Sequence, residues 1–190
     1  MIKAILLAAG QSKRLGAENK LLKFYKKKPL INFSLNTLNK SKVNKIIIVL
    51  GYQNKEVKKV IGKNKKIIFI TNKNYKKGIA SSIKIGLKKV YKKEKGFIIV
   101  QSDMPYIKIT DINKIYNSIK KSKALVHALK FKNRIGNPIG FNISMLSKFK
   151  KIKGDIGAKF MVKRLSKSTN FIKISTNRIL RDFDLKKDFN

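Results

Sequence analysis

Short runs of Ile, Val, Leu and Phe recur along the chain, and stretches in which apolar residues return every three or four positions lie between them. The runs are "KAILLA" (3–8), "KIIIVL" (45–50), "KIIFIT" (66–71), "GFIIVQ" (96–101), "ALVHAL" (124–129), "IGF" (139–141) and "FIKI" (171–174). Several are apolar on both faces, so both faces must be covered, as in a mostly parallel sheet between layers of helices. The intervening segments supply the helices: 29–40, the stretch after Gly51, 78–93, 110–122 and 157–167. In the third of these, Ile79, Ile83 and Leu87 stand four residues apart and make one apolar stripe opposite the lysines. Strand and helix in alternation predict an α/β fold of the doubly wound kind. With 190 residues and neither an internal repeat nor a linker, a single domain over 1–190 is expected.

Composition narrows the chemistry. The chain has no cysteine, which removes thiol catalysis and cysteine-ligated zinc and fits a reducing compartment. "MIKAILLAAG" reads as a first strand rather than an export signal, because a cationic loop and patterned sequence follow at once. No apolar stretch approaches the ~20 residues a membrane helix needs, so no membrane partner and a cytoplasmic location are expected. The 47 Lys and Arg against 9 Asp and Glu give a net charge of +38, which concentrates any polyanion nearby. Aromatics do not recur between lysines in clusters such as "YKKK", "KNKK" and "KFKKIK" as a stacking platform would require, so a lysine-rich solvated surface is the expectation and nucleic acid is not the expected partner.

The first strand runs into "AAGQSKRLGAENK" (8–20), a loop both flexible and cationic. Ligands of open parallel sheets sit outside the carboxyl ends of the strands. Gly10 and Gly16 free backbone N–H groups to face an anion, and Lys13, Arg14 and Lys20 add charge at the same place. The loop therefore suits phosphate. Its spacing matches neither the Walker P-loop nor the dinucleotide fingerprint G-x-G-x-x-G, and on spacing alone a structural turn with incidental cations is the competing reading.

"LLAAGQSKRLGAENKLL" (6–22) resembles the signature loop of the MobA-like nucleotidyltransferases, L-A-[AG]-G-x-S-x-R-x-G-x-x-K, with Gly10, Ser12, Arg14, Gly16 and Lys20 on the pattern and one extra residue before the lysine. Further elements are similar in the family's order: "VLGYQ" (49–53), "NYKKGIASSIKIGL" (74–87), "QSDMPYI" (101–107), "GNPIGF" (136–141) and "GDIGAK" (154–159). The nearest branch is molybdenum cofactor cytidylyltransferase. The resemblance implies a single-domain, Rossmann-like fold of the nucleotide-diphospho-sugar transferase type. It implies attack by the terminal phosphate of molybdenum–molybdopterin cofactor on the α-phosphorus of CTP, with Mg²⁺ or Mn²⁺. A molybdoenzyme or its insertion chaperone would be a partner. Ala8 and Ala9 before Gly10 go with CTP in similar enzymes, and Ala-Gly-Gly with GTP. A guanylyltransferase of the same cofactor, a sugar-phosphate nucleotidyltransferase and a non-catalytic polyanion-binding protein are the alternatives.

The phosphate nucleophile ionises with a second pKa near ~6, so no general base is required. Asp103, at the end of an apolar run, is the candidate metal ligand, with a turn cap as its structural reading and Pro105 fixing the turn. "RDFDL" (181–185) looks like the family's D-[IV]-D-T-P-E-D, which makes Asp184, or Asp182, a second ligand, or else an acid of a fraying terminus. Ser81 and Ser82 open a helix and either cap it or meet substrate. Asn137 and Asp155 are acceptor-pocket candidates, alternatively a turn residue and an N-cap. His127 has no second histidine or cysteine beside it and reads as a strand residue. Tyr52 reads as packing.

Overall fold

The computed structural model describes residues 1–16 and 18–189. In chain order the elements are β1 (Ile2–Ala8), a hairpin of β2 (Phe24–Tyr25) and β3 (Lys28–Pro29), α1 (Ile31–Lys40), β4 (Lys45–Leu50), α2 (Asn54–Ile61), β5 (Ile67–Thr71), α3 (Ile79–Leu87), β6 (Gly96–Gln101), α4 (Ile109–Lys121), β7 (Val126–Phe131), β8 (Arg134–Asn142), α5 (Ala158–Arg164) and β9 (Thr169–Lys173). The sheet order is β5-β4-β1-β6-β8-β7-β9. Every pairing is parallel except those of β8, which runs against β6 and β7. This is the mostly parallel, helix-covered α/β sheet expected.

The apolar runs divide between two cores. On β1, Ala4, Leu6 and Ala8 face one layer with residues of α1, α2 and α4, while Ile5 faces the other with residues of α3 and α5. That alternation is why "KAILLA" carries no polar residue after its lysine.

β8 extends beyond the 139–141 run on both sides, and its Gly136 and Gly140 are there for close approach. A Cβ on Gly136 would strike the Ile179 carbonyl oxygen, and one on Gly140 would strike Ile115 and stand 2.9 Å from Ile119 Cδ1. The helix expected over 78–93 stops at Leu87, where Lys88, Lys89 and Val90 donate to carbonyls three residues back. Lysines at 88, 89, 92 and 93 would be like-charge pairs at helical spacing, which disfavours a longer helix.

After β9 the chain crosses back over the sheet. Ile179 and Phe183 are buried. Arg178 grips Asp111 of α4 with Nε to Oδ2 at 2.8 Å and Nη2 to Oδ1 at 2.7 Å. This strap, residues 177–189, reaches the carboxyl edge of β6, where the Asp188 Oδ2 atom accepts the backbone N–H groups of Asp184 and Leu185, both at 2.8 Å.

Candidate active site

The loop after β1 is stitched in place by its own side chains. Ser12 adopts φ +55° and Gly16 φ +78°. The Ser12 carbonyl accepts from Leu15 N at 2.8 Å, and its hydroxyl accepts from Lys20 N at 3.0 Å. Asn19 binds Leu21 N through Oδ1 and the Tyr52 carbonyl through Nδ2. Gly51 packs on the loop's origin so closely that a Cβ there would lie 2.7 Å from Ala9 Cβ, which explains the glycine in "VLGYQ". Tyr52 sits against Tyr75, with ring centroids 6.4 Å apart. The side chain of Lys13 lies outside the described part of the structure.

This stitching aims Lys20 inward. Its Nζ atom donates to Asp103 Oδ2 at 2.6 Å, to Asp184 Oδ1 at 2.5 Å and to the Phe183 carbonyl at 3.0 Å. Arg14 Nη1 binds Asp184 Oδ2 at 2.6 Å, but the arginine side chain is 71% exposed, so that pair is weakly held and easily exchanged. Asp103 follows β6 in a turn pinned by Ser102 Oγ to the Leu7 carbonyl at 2.6 Å and by Ser34 Oγ to the carbonyls of Ser102 and Met104. The strap delivers Asp184, with Phe183 N donating to the Asp103 carbonyl at 2.9 Å. Three segments far apart in sequence thus meet at one ammonium group. Asp182 stays exposed and acts on Asp103 through its charge.

Burial pushes the Asp103 carboxyl above its ordinary range, against the pull of the Lys20 charge and hydrogen bond. Burial also works against the Lys20 ammonium, yet the two carboxylates outweigh it and hold the lysine above its usual value. The ammonium is therefore firmly charged at neutral pH.

Two of these segments, the β1 loop with Ala9, Gly10, Ser12 and Lys20 and the turn with Asp103, border a cleft of about 390 Å³ that Ser82 and Asp155 also line, while Asp184 lies outside its walls. Ala8 is buried and does not line it. Arg14 and Gly16 lie outside its walls. Ser82 faces the cleft, but Ser81 lines a separate groove, where its hydroxyl donates to the carbonyls of Asn74 and Gly78. A second cavity of about 450 Å³ adjoins the first and shares Leu7, Ile79, Gln101 and Asp155 with it. Asn137 lines this second cavity and donates Nδ2 to Gln101 Oε1 at 2.8 Å. Asp155 also takes the Ile79 N–H at 3.3 Å, at the start of α3. His127 is remote from both: it is fully buried on β7, bonds Ser118 Oγ at 2.7 Å, and is pushed by burial down to about 4.

Among the described residues no group of three or more His, Asp or Glu side chains could hold a metal. Two carboxylates are nevertheless enough for magnesium or manganese that arrives on phosphates, because such ions take one or two protein carboxylates and complete their shell from phosphate and water. Asp103 Oδ1 is buried and has no hydrogen-bond donor, as a ligand oxygen awaiting a cation would be. The residues fit.

Positions that support the site and that the sequence did not single out are Asn72, Asn19, Gln101 and Asp188. Asn72 is buried and its Nδ2 reaches both Ser81 Oγ at 2.8 Å and Ser82 Oγ at 3.0 Å. Asp188 had a signal, since it occupies the last acidic place of the D-[IV]-D-T-P-E-D pattern that begins at Asp182.

The family model described as the MobA-like NTP transferase domain matches residues 4–169. The chain belongs to that family. Among curated proteins, this MobA-like chain is 26% identical over 155 residues to the bifunctional protein GlmU of Clostridioides difficile, covering 81% of this chain and 32% of that one. It is 28% identical over 141 residues to the 2-C-methyl-D-erythritol 4-phosphate cytidylyltransferase of Lachnoclostridium phytofermentans, covering 70% of this chain and 58% of that one. The chain thus spans about a third of the first relative and less than two thirds of the second. Among solved structures, Rv0371c of Mycobacterium tuberculosis superimposes with a TM-score of 0.86 at 20% identity over 99% of this chain and 95% of its own. No helix among the described residues is long and apolar enough to cross a membrane.

Proposed function

We propose that this protein is a nucleotidyltransferase that moves CMP from CTP to the terminal phosphate of molybdenum–molybdopterin cofactor and releases pyrophosphate. The observation that carries the reading is the convergence of Lys20, Asp103 and Asp184 beneath the β1 loop, at the carboxyl edge of a parallel sheet. A phosphate oxygen of the acceptor attacks the α-phosphorus, the bond to the bridging oxygen breaks, and pyrophosphate leaves with that electron pair. Lys20 and Arg14 neutralise the triphosphate, and open backbone N–H groups near Gly10 receive its oxygens. Asp103 and Asp184 would hold a divalent cation, which when bound supplies charge neutralisation on the phosphates. The second cavity, with Asn137 and Asp155, would receive the acceptor and bring its phosphate in line with the first.

Ala9 at the cleft wall supports CTP over GTP, a preference that one methyl changes by roughly 1–3 kcal/mol. A sugar or polyol phosphate acceptor is the second reading, favoured by the curated relative named as a 2-C-methyl-D-erythritol 4-phosphate cytidylyltransferase. Pyrophosphate release from a panel of four nucleoside triphosphates, each with the molybdenum cofactor or with sugar phosphates, tests the proposal. Turnover with CTP and the cofactor is the expected result, and turnover confined to GTP or to a sugar phosphate rejects it.

A further inference from the structure

The Lys20 ammonium occupies the point that a divalent cation would need. It contacts Asp103 Oδ2 at 2.6 Å and Asp184 Oδ1 at 2.5 Å, and Mg²⁺ would hold carboxylate oxygens at about 2.0–2.1 Å. Two positive charges cannot share that space. The lysine is well secured, with a side chain only 15% exposed, a third bond to the Phe183 carbonyl, and a backbone N–H tied to Ser12 Oγ. Asp103 still keeps one oxygen, Oδ1, without a donor.

We infer that Lys20 is a resident cation that shuts the Asp103–Asp184 pair to free divalent metal and yields it only to metal that arrives with a nucleoside triphosphate. A triphosphate in the cleft offers the ammonium an alternative anionic partner. Lys20 then turns to phosphate, the two carboxylates lose their counter-charge, and the metal carried on the same phosphates takes its place. Metal and nucleotide binding are thereby positively coupled, and by linkage each strengthens the other by the same factor. Arg14 contributes in the same sense, since its exposed bond to Asp184 Oδ2 is released more readily still. The true ligand of the cleft is then the metal–nucleotide chelate rather than either component alone. This inference rests on the nucleotide-binding reading of the cleft.

Manganese is the probe, with free ion counted by its electron paramagnetic resonance signal and nucleotide supplied as a non-hydrolysable CTP analogue. Wild type without nucleotide is expected to bind Mn²⁺ at least tenfold more weakly than Lys20→Met or Lys20→Gln. Asp103→Asn introduced into either variant is expected to abolish that gain. Two neutral replacements are used so that one which fails to fold, as judged by circular dichroism, leaves the other to decide. Equal Mn²⁺ affinity in wild type and the folded Lys20 variant overturns the inference. A wild type that binds Mn²⁺ as tightly alone as with the analogue, after the analogue's own chelation is subtracted, overturns it too. If the analogue binds with neither metal nor lysine variation affecting it, the nucleotide reading of the cleft fails, whereas the comparison of Mn²⁺ alone still judges the role of Lys20 by itself.

Discussion

Replacing Arg178 with alanine should detach the strap that carries Asp184. Asp111 is fully buried and receives three hydrogen bonds, two from the Arg178 guanidinium and one from the Lys108 N–H. Removing the arginine leaves a buried carboxylate with a single donor, a loss of about 3–5 kcal/mol when one partner of such a pair is deleted. For a domain of this size each kcal/mol moves the midpoint by about 2–4 °C, so a drop on the order of 10 °C is expected in thermal circular dichroism. The loss should be local as well as global. The Phe183 N–H is held by the Asp103 carbonyl, and its hydrogen exchange should accelerate more than that of the β1 and β4 amides. Because the strap also places Asp184, nucleotidyl transfer should fall while residual binding of nucleotide through Lys20 persists. The double variant Asp111→Leu with Arg178→Met should recover most of the stability, since apolar pairs of similar volume often replace buried ion pairs without loss. A cost below about 1 kcal/mol, or a Phe183 amide unchanged in exchange, would refute the view that this ion pair anchors the strap.

Asp103→Asn is expected to leave the fold intact and to abolish turnover in the pyrophosphate assay, since it removes a charge that Lys20 and a metal would both contact. A variant retaining near-normal activity would exclude Asp103 from the chemistry. His127 is neutral in the folded state because its value falls from 6.5 to about 4, so the unfolded chain binds the extra proton between those two pH values. Stability should therefore decline as pH falls from about 6.5 to 4 and then level off, by up to about 3 kcal/mol in all. The test is urea unfolding at pH 7 and pH 4.5, with His127→Asn losing that part of the slope. Gly136→Ala should destabilise by about 1–3 kcal/mol by forcing its methyl into the Ile179 carbonyl, read as a lower urea midpoint. Finally, a chain carrying +38 repels itself, so its thermal midpoint should rise between low and moderate salt; a flat response would refute the view that this repulsion weighs on stability.

The strands were legible because burial on both faces leaves no room for polar residues: "KIIIVL" and "GFIIVQ" are strands at 45–50 and 96–101 as read. β8 was legible only over 139–141, since the residues before that run, Arg134–Pro138, make no apolar pattern and the contacts that demand its glycines are out of sight. Ile115 and Ile119 of α4 explain Gly140, and Ile179 explains Gly136, but they lie far away in the chain. The β2–β3 hairpin was missed because two-residue strands have no periodicity to read. In the site, motif spacing brought Lys20 and Asp103 forward, and the structure places them 2.6 Å apart. The choice between Asp182 and Asp184 was not legible, because it depends on how Asp188 folds the turn between them and itself. Ser81 and Ser82 look alike in sequence, but successive helix positions point 100° apart, and so only one faces the cleft.

Asp155 stands on the partition between the two cavities, and its carboxylate already answers the first N–H of α3. That helix end, which would otherwise draw a phosphate, is spoken for. On the proposed reading, a triphosphate in the first cavity would meet repulsion at the partition and attraction beside Lys20, so its charged tail would be turned one way before any chemistry begins, much as a key blade admits one orientation.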